Sequence, residues 1–257
     1  MVPIDDTGNS SDPSHQDTQA TPPSSPPPGE IQGVGPWSEG DYPSDPHFDP
    51  QLLREGDARN VLDRYRYWTV EAIVEDLDRR LDDPPIEPST PDAAHALGKT
   101  TTQSQKLLPR LDMAIENLGH DFNIGSVIRT ANCLGVRHVH ILGRKRFNRR
   151  GAMVTDRYLH MHYHPDISSL KEYAVQQHLV LCALDNLEGA LPLETATIPA
   201  RMILIAGEES SGITPEVARN CEMMFEITQH GSSRSMNVGA ASAIAMWAWR
   251  AQNPPPQ

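Results

Sequence analysis

The chain has 257 residues, 38% of them hydrophobic and only 5% aromatic, with a formal net charge of −12. That length admits one large domain or two small ones. No window stays apolar long enough to cross a bilayer, so a soluble protein is expected and a membrane partner is not; three cysteines without a CxxC add the expectation of a cytoplasmic setting. Spread evenly, the charge would argue against nucleic acid, but Met1 to Gly98 holds 20 acidic and 6 basic residues while Lys99 to Gln257 holds 14 acidic and 16 basic.

Residues 1–50 carry 11 of the 23 prolines, in runs such as "TPPSSPPPGE". They show no apolar periodicity, which predicts a disordered tail. The tail lacks the basic start, apolar core and small-residue end of a signal peptide. A helical arm is expected over 51–82. Within it, "NVLDRYRYWTVEAIVEDLDRRL" spaces Val61, Tyr65, Trp68, Ala72, Val74 and Leu77 along one side of a helix beginning near Asn60. The prolines of "DDPPIEPSTPD" end it, because they remove donors and disfavour helix before them. A linker is expected over 83–106 and a catalytic-type domain over 107–257.

In that domain the hydrophobic period alternates between strand and helix. "LDMAIEN", "HVHIL", "LVLCAL", "RMILIAG" and "MMFEIT" read as strands. Helices are expected from Ile124 to Leu134, from Leu170 to Gln177 and from Asn237 to Trp249. Continuous apolar strands alternating with helices predict an α/β fold, a mainly parallel sheet flanked by helices on both faces. Ligands of such sheets bind beyond the carboxyl ends of the strands, so "ENLGHDFN", "GEESSG" and "TQHGSSRS" should share one rim.

Each loop also has an ordinary explanation. In "NIGSVIR", Asn123 is placed to cap a helix and Arg129 falls opposite its apolar stripe. In "LIAGEESSGITPEV", Gly207 follows a buried strand, and Thr214 and Pro215 start a helix. In "HGSSRSMNVGAASAIAMWAW", Gly231 supplies backbone freedom, the serines supply hydroxyls, and the alanines make a flat-sided helix that another segment can approach closely. "GRKRFNRRG" puts Arg144, Lys145, Arg146, Arg149 and Arg150 after the second strand, with Phe147 among them for base stacking. A sequence-independent contact with RNA backbone is one reading and a solvated loop the other. "HMHYH" aligns His160, His162 and His164 on one strand face. With no carboxylate or cysteine at metal-ligand spacing, a strand edge toward solvent or a dimer partner is expected rather than a metal site. Cys133, Cys182 and Cys221 are odd in number and widely spaced, as in a protein with reduced thiols.

Taken together and in order, the three loops resemble the signature motifs of the SpoU/TrmH family of RNA 2′-O-ribose methyltransferases, within the SPOUT class. The resemblance implies a C-terminal deep trefoil knot and a homodimer. It also implies S-adenosylmethionine as methyl donor, with S-adenosylhomocysteine as product, and a ribose 2′-hydroxyl of tRNA or rRNA as acceptor. By motif position it assigns Asn123, Arg129, Glu209 (rather than Glu208), Ser235 and Asn237 to the catalytic site. Ile205, Ala206, Gly207, Ile227, Gly231 and Met236 fall to the cofactor. No metal is implied. A single helix behind a tail is small for the separate RNA-binding domain of rRNA-modifying relatives, which tilts the expected target toward tRNA. Two other readings stand beside this one: an RNA-binding protein on the same scaffold without activity, and a nucleotide-binding α/β domain acting on a small metabolite. The second leaves the basic segment unexplained.

Overall fold

The computed structural model describes residues 33–81, 107–117, 123–147, 149–208 and 211–254, with Arg149 and Arg150 described by their backbone alone. Its centre is a sheet of seven strands: β1 (Arg110–Asn117), β2 (His138–Gly143), β3 (His160–His164), β4 (Val180–Leu184), β5 (Leu191–Pro192), β6 (Arg201–Ala206) and β7 (Met223–Glu226). They lie in the order β3-β2-β1-β6-β4-β7-β5. Every neighbouring pair is parallel. The five strands read from sequence are present. "HMHYH" forms the edge strand β3, and the two-residue β5 is too short to leave a periodic signal.

Alternation along the strands explains the two covered faces. Met113, Ile115, Met202, Leu204, Cys182 and Leu184 enter one core with α3 (Ile124–Cys133) and α6 (Val238–Gln252). Ala114, Ile203, Ile205, Leu181 and Ala183 enter the other with α4 (Ile167–Gln176) and α5 (Pro215–Asn220). α4 starts three residues before the expected Leu170 because Asp166 caps it, accepting from Ser169 N at 2.8 Å. α6 runs past the expected Trp249, and Asn237 caps it as read. No helix among the described residues is long and apolar enough to cross a membrane.

The arm departs from expectation. The continuous helix from Asn60 is replaced by a 3-10 turn at Asp63–Tyr65 and a helix α2 that begins only at Val70 (Val70–Leu81). Arg66 is extended and Tyr67 has φ +63°, which breaks the helix between them. The organising group is Asp57, fully buried, which accepts from Arg59 N, Nε and Nη2 and from Tyr67 N. Residues 33–50, read with the polar tail, are instead strung along this unit. Val34 bridges to Asp57, Phe48 bridges to Trp68, and Pro50–Glu55 is a short helix, α1. Tyr65 and Ile73 pack on Tyr158 of the sheet domain, and Trp68 lies against them. Asp78 completes the dock by accepting from Arg137 Nε (2.8 Å) and Nη2 (2.7 Å).

Candidate active site at the carboxyl edge of the sheet

Leu184 pairs in register with both Ala206 and Phe225, so β4, β6 and β7 end level with one another. Just beyond that line opens a cleft of about 310 Å³. Its walls are the residues that continue each strand. Asp185 to Leu187 follow β4, Gly207 and Glu208 follow β6, and Ile227 and Gln229 follow β7. Arg234, Ser235 and Met236 close it from the segment that leads into α6.

Gly207 is required by a close backbone approach. A Cβ there would stand 2.1 Å from the carbonyl carbon of Gly212, because Glu208 N and Gly212 N each hydrogen-bond across to the other's carbonyl (3.2 and 2.8 Å). The loop therefore folds back on itself directly beside the cleft. Asp185 fixes the returning limb: its Oδ2 accepts from Ile213 N at 2.8 Å. Glu116 at the end of β1 anchors the helix that follows, accepting from Thr214 N (3.0 Å) and Thr214 Oγ1 (2.6 Å). Thr214 and Pro215 start α5 as read, but neither Asp185 nor Glu116 was singled out, since an acid at a strand end carries no spacing signal.

Asn123 and Asn237 come together. Asn237 Nδ2 donates to Asn123 Oδ1 at 2.9 Å, while Asn237 Oδ1 accepts from Ala240 N at 3.1 Å. Asn123 does not cap its own helix as expected. It already has helical dihedrals, and its side chain faces Asn237. Arg129 is exposed on α3, six residues or about 9 Å further along the helix. Ile205 and Ala206 are buried in the sheet, paired on both sides to β1 and β4, immediately before the cleft. Ile227, Met236 and Ser235 line the cleft. Gly231 is exposed, and nothing lies within 4 Å of where its Cβ would be. Glu209 and the side chains of Arg149 and Arg150 lie outside the described residues.

The basic segment is anchored to the same edge. Asn117, buried at the end of β1, donates its Nδ2 to the carbonyls of Arg144 and Arg146 (2.5 and 3.0 Å), and Arg144 N returns a bond to Asn117 O at 3.0 Å. Arg144, Lys145 and Arg146 are exposed. Phe147, expected to be free for stacking, instead packs against the core below α3.

The histidines form a ladder across β2 and β3. His138 stacks between His160 and His162 at ring-centroid distances of 4.8 and 5.2 Å, and His140 lies 4.7 Å from His162. Ring nitrogens of His140 and His164 share a hydrogen at 3.0 Å, and His140 Nε2 meets Asp112 Oδ2 at 3.2 Å. Burial holds His162 down at about 3 and His164 at about 4. Burial pushes the Asp112 carboxyl up, but His140 and Arg110 outweigh it and keep it below the usual range. The expectation that this face meets solvent or a partner does not hold for His164, which is buried. The reason is that Tyr173 of α4 covers this face, its ring 4.7 Å from His140 and 5.1 Å from His162.

An all-parallel, helix-flanked sheet with a cleft at its carboxyl edge defines the general class, an α/β fold of the kind whose ligands lie beyond the strand ends. The chain belongs to the SpoU rRNA Methylase family, whose model matches residues 110–247. Among curated proteins it is similar to the tRNA (guanosine(18)-2′-O)-methyltransferase of Escherichia coli strain K12, 24% identical over 142 residues. That match covers 54% of this chain and 62% of the relative, so the chain spans less than two thirds of the relative's length. Among solved structures it shares its fold with the SpoU methyltransferase AviRb from Streptomyces viridochromogenes in complex with the cofactor AdoMet (TM-score 0.52, 19% identity, 56% of this chain and 58% of that one). The A. aeolicus TrmH/SpoU tRNA modifying enzyme has a TM-score of 0.51 at 17% identity, over 56% of this chain and 75% of the other.

Proposed function

We propose that this protein transfers the methyl group of S-adenosylmethionine to a ribose 2′-hydroxyl of RNA, a tRNA or an rRNA, releasing S-adenosylhomocysteine. One observation carries the reading: three segments distant in sequence meet at one cleft. Two of them line it, and the third is joined to them through Asn123 and Asn237. Family membership supports it, as do a relative named for tRNA 2′-O-methylation and a fold neighbour crystallised with AdoMet.

The cleft suits such a donor. Its volume is of nucleoside size, and Leu184, Leu187, Ile227, Met236 and Val238 give it apolar walls. Asp185, Glu208 and Glu226 offer acids for a sulfonium and an ammonium, and Arg234 a cation for the donor's carboxylate. When bound, S-adenosylmethionine supplies a methyl activated by positive sulfur, with a neutral thioether as leaving group. The chain's own task is alignment, worth up to roughly 7–11 kcal/mol of barrier in ideal cases, and charge stabilisation. Arg129, always protonated, grips the target phosphate with two N–H groups and stabilises the ribose oxygen, whose proton passes to water as the carbon–oxygen bond forms and the carbon–sulfur bond breaks. Asn123, Ser235 and Asn237 stand beside the reacting groups, and the motif assigns Glu209 to the same set. Gly207, Ile227, Gly231 and Met236, with Ile205 and Ala206 behind them, hold the donor. Arg144, Lys145, Arg146, Arg149 and Arg150 hold RNA backbone.

The reading includes a C-terminal trefoil knot and a homodimer. Supporting the knot, the loop between β4 and β6 is bonded along its length by the segment that follows β7. Glu194 accepts from Thr228 N at 3.0 Å, Arg234 O accepts from Asn186, and Pro199 O accepts from Trp249 Nε1 at 3.0 Å. An experimental trace of 185–252 tests it. Supporting the dimer, α6 leaves Ile244 and Trp247 exposed. Three free cysteines support a cytoplasmic setting. The deciding experiment for function is tritiated-methyl transfer to total RNA by the purified protein, followed by mapping of ribose-methylated sites. No transfer, with no uptake of donor or product by calorimetry, rejects the assignment.

A further inference from the structure

We propose that Tyr163 is a stacking platform for an unpaired base of bound RNA, with Lys145 placed for the phosphate beside that base; this rests on the reading of the substrate as RNA. The argument begins with strand parity. β3 is an edge strand, with no neighbouring strand on one side among the described residues. His162 and His164 point into the ladder, whereas Met161 and Tyr163 point to the opposite face. Met161 packs on the core there, but Tyr163 reaches past it and is 42% exposed. A half-exposed tyrosine on an edge strand is by itself unremarkable.

Its surroundings distinguish it. The Lys145 ammonium lies 5.7 Å from the Tyr163 ring centroid. Lys145 is also the middle residue of the triplet whose flanking carbonyls Asn117 holds, so the cation and the ring are presented together by the ends of three adjacent strands. With Phe147 packed against the core, Tyr163 is the exposed aromatic beside this basic segment among the described residues. A half-exposed ring beside an ammonium fits a splayed nucleotide, whose base stacks on the ring while its phosphate meets the ammonium. Tyr163 stands on the rim that carries the cleft, three strand positions from β6, which is about 14 Å at normal strand spacing. That separation assigns it a nucleotide near the target rather than the target itself.

The test is fluorescence anisotropy with a fluorescein-labelled single-stranded oligoribonucleotide and with the same sequence as a duplex. Tyr163→Leu should weaken single-strand binding about 5- to 100-fold, leave duplex binding unchanged, and leave the slope of log affinity against log salt unchanged. Tyr163→Phe should bind as the wild type does. Lys145→Ala should weaken binding and flatten the salt slope. If leucine lowers the thermal midpoint, Tyr163→Trp decides in its place, and it must bind at least as tightly as wild type. The proposal is overturned if Tyr163→Leu binds single strands normally, if it loses single strand and duplex alike, or if the wild type does not bind the single strand. Calorimetry with S-adenosylhomocysteine on the same samples separates the two readings. A Tyr163 effect without ligand uptake removes the transferase and keeps the platform, and uptake without a Tyr163 effect does the reverse.

Discussion

Asn237 Nδ2 donates to Asn123 Oδ1 at 2.9 Å, joining the first motif to the last across 114 residues of chain. The pair tolerates one charge but not two. Asn123→Asp keeps an acceptor for Asn237. Asn237→Asp keeps the cap on Ala240 N, and the Asn123 amide can turn to donate. The double variant sets two carboxylates face to face without a donor. Each single change should cost well under 1 kcal/mol, whereas the double change should cost about 1 kcal/mol more than their sum. Denaturant unfolding of the four proteins measures the difference, and additivity would show that the bond contributes nothing.

Gly207→Ala should damage the cleft more than any single loss of a polar side chain. The new Cβ would stand 2.1 Å from backbone, not from a side-chain end that can swing away. The 208–212 return must shift, at a cost of about 1–3 kcal/mol. Glu208, Ser211 and Gly212 line the cleft and must move with it. S-adenosylhomocysteine affinity by calorimetry should fall at least about tenfold, the equivalent of roughly 1.4 kcal/mol. Unchanged affinity would mean that the ligand does not use this wall.

Much of this was legible in the sequence, for reasons that differ by element. "RMILIAG" and "LVLCAL" are unbroken apolar runs because both faces of β6 and β4 are covered, and burial of that kind writes itself into composition. Thr214-Pro215 marked a helix start for a purely local reason. The arm misled because Val61, Tyr65 and Trp68 keep helical spacing while Asp57 holds the backbone in a different path through hydrogen bonds that leave no periodic trace. Phe147, read as available for stacking, packs instead, and Tyr163, to which no role was read, is the exposed ring, for a similar reason. Which aromatic is buried depends on how Asn117 steers the segment after β2, a tertiary contact 27 residues apart.

Arg129→Ala should abolish methyl transfer while donor affinity survives, because Arg129 is exposed on α3 rather than buried with the cleft wall. Arg129→Lys is the sharper probe. It keeps the charge but loses the planar fork, so turnover should still fall by two orders of magnitude or more if two-pronged phosphate contact matters. Normal methylation by the lysine variant would remove Arg129 from the mechanism.

Acid should destabilise the fold through the histidine ladder. His162 titrates at about 3 and His164 at about 4 in the folded chain, against 6.5 when unperturbed. Below pH 6.5 the unfolded chain therefore takes up protons that the folded chain refuses, and stability falls until the folded values are reached. Asp112, depressed by His140 and Arg110, adds a loss of the same sign across the ordinary carboxylate range. The charged and titratable groups facing the ladder include Arg110 and Asp112 from β1, Asp78 from α2, which meets His160 at 3.0 Å, Asp166 before α4, and Tyr173 from α4. His162→Phe keeps a ring between His138 and His140 but cannot take a proton. Its urea midpoint should drop less between pH 7 and pH 5 than that of the wild type. An equal drop in both would place the acid sensitivity elsewhere.

Trp247→Glu should separate the protomers if α6 forms the dimer contact. Trp247 is 63% exposed and Ile244 42% exposed on a helix whose opposite side, through Ala245, Met246 and Trp249, is locked into the core. Ala240 and Ala251 are also exposed and continue the stripe four residues to either side, so it is flat enough for a second helix to lie against. In a two-fold contact each residue is used twice, and two carboxylates replacing two indoles near the axis would oppose each other. Analytical ultracentrifugation should find the wild type dimeric and Trp247→Glu monomeric, with an unchanged thermal midpoint for the monomer fold at high dilution. If the wild type sediments as a monomer at micromolar concentration, the stripe does not self-associate, and a site completed by a second copy of the chain is excluded.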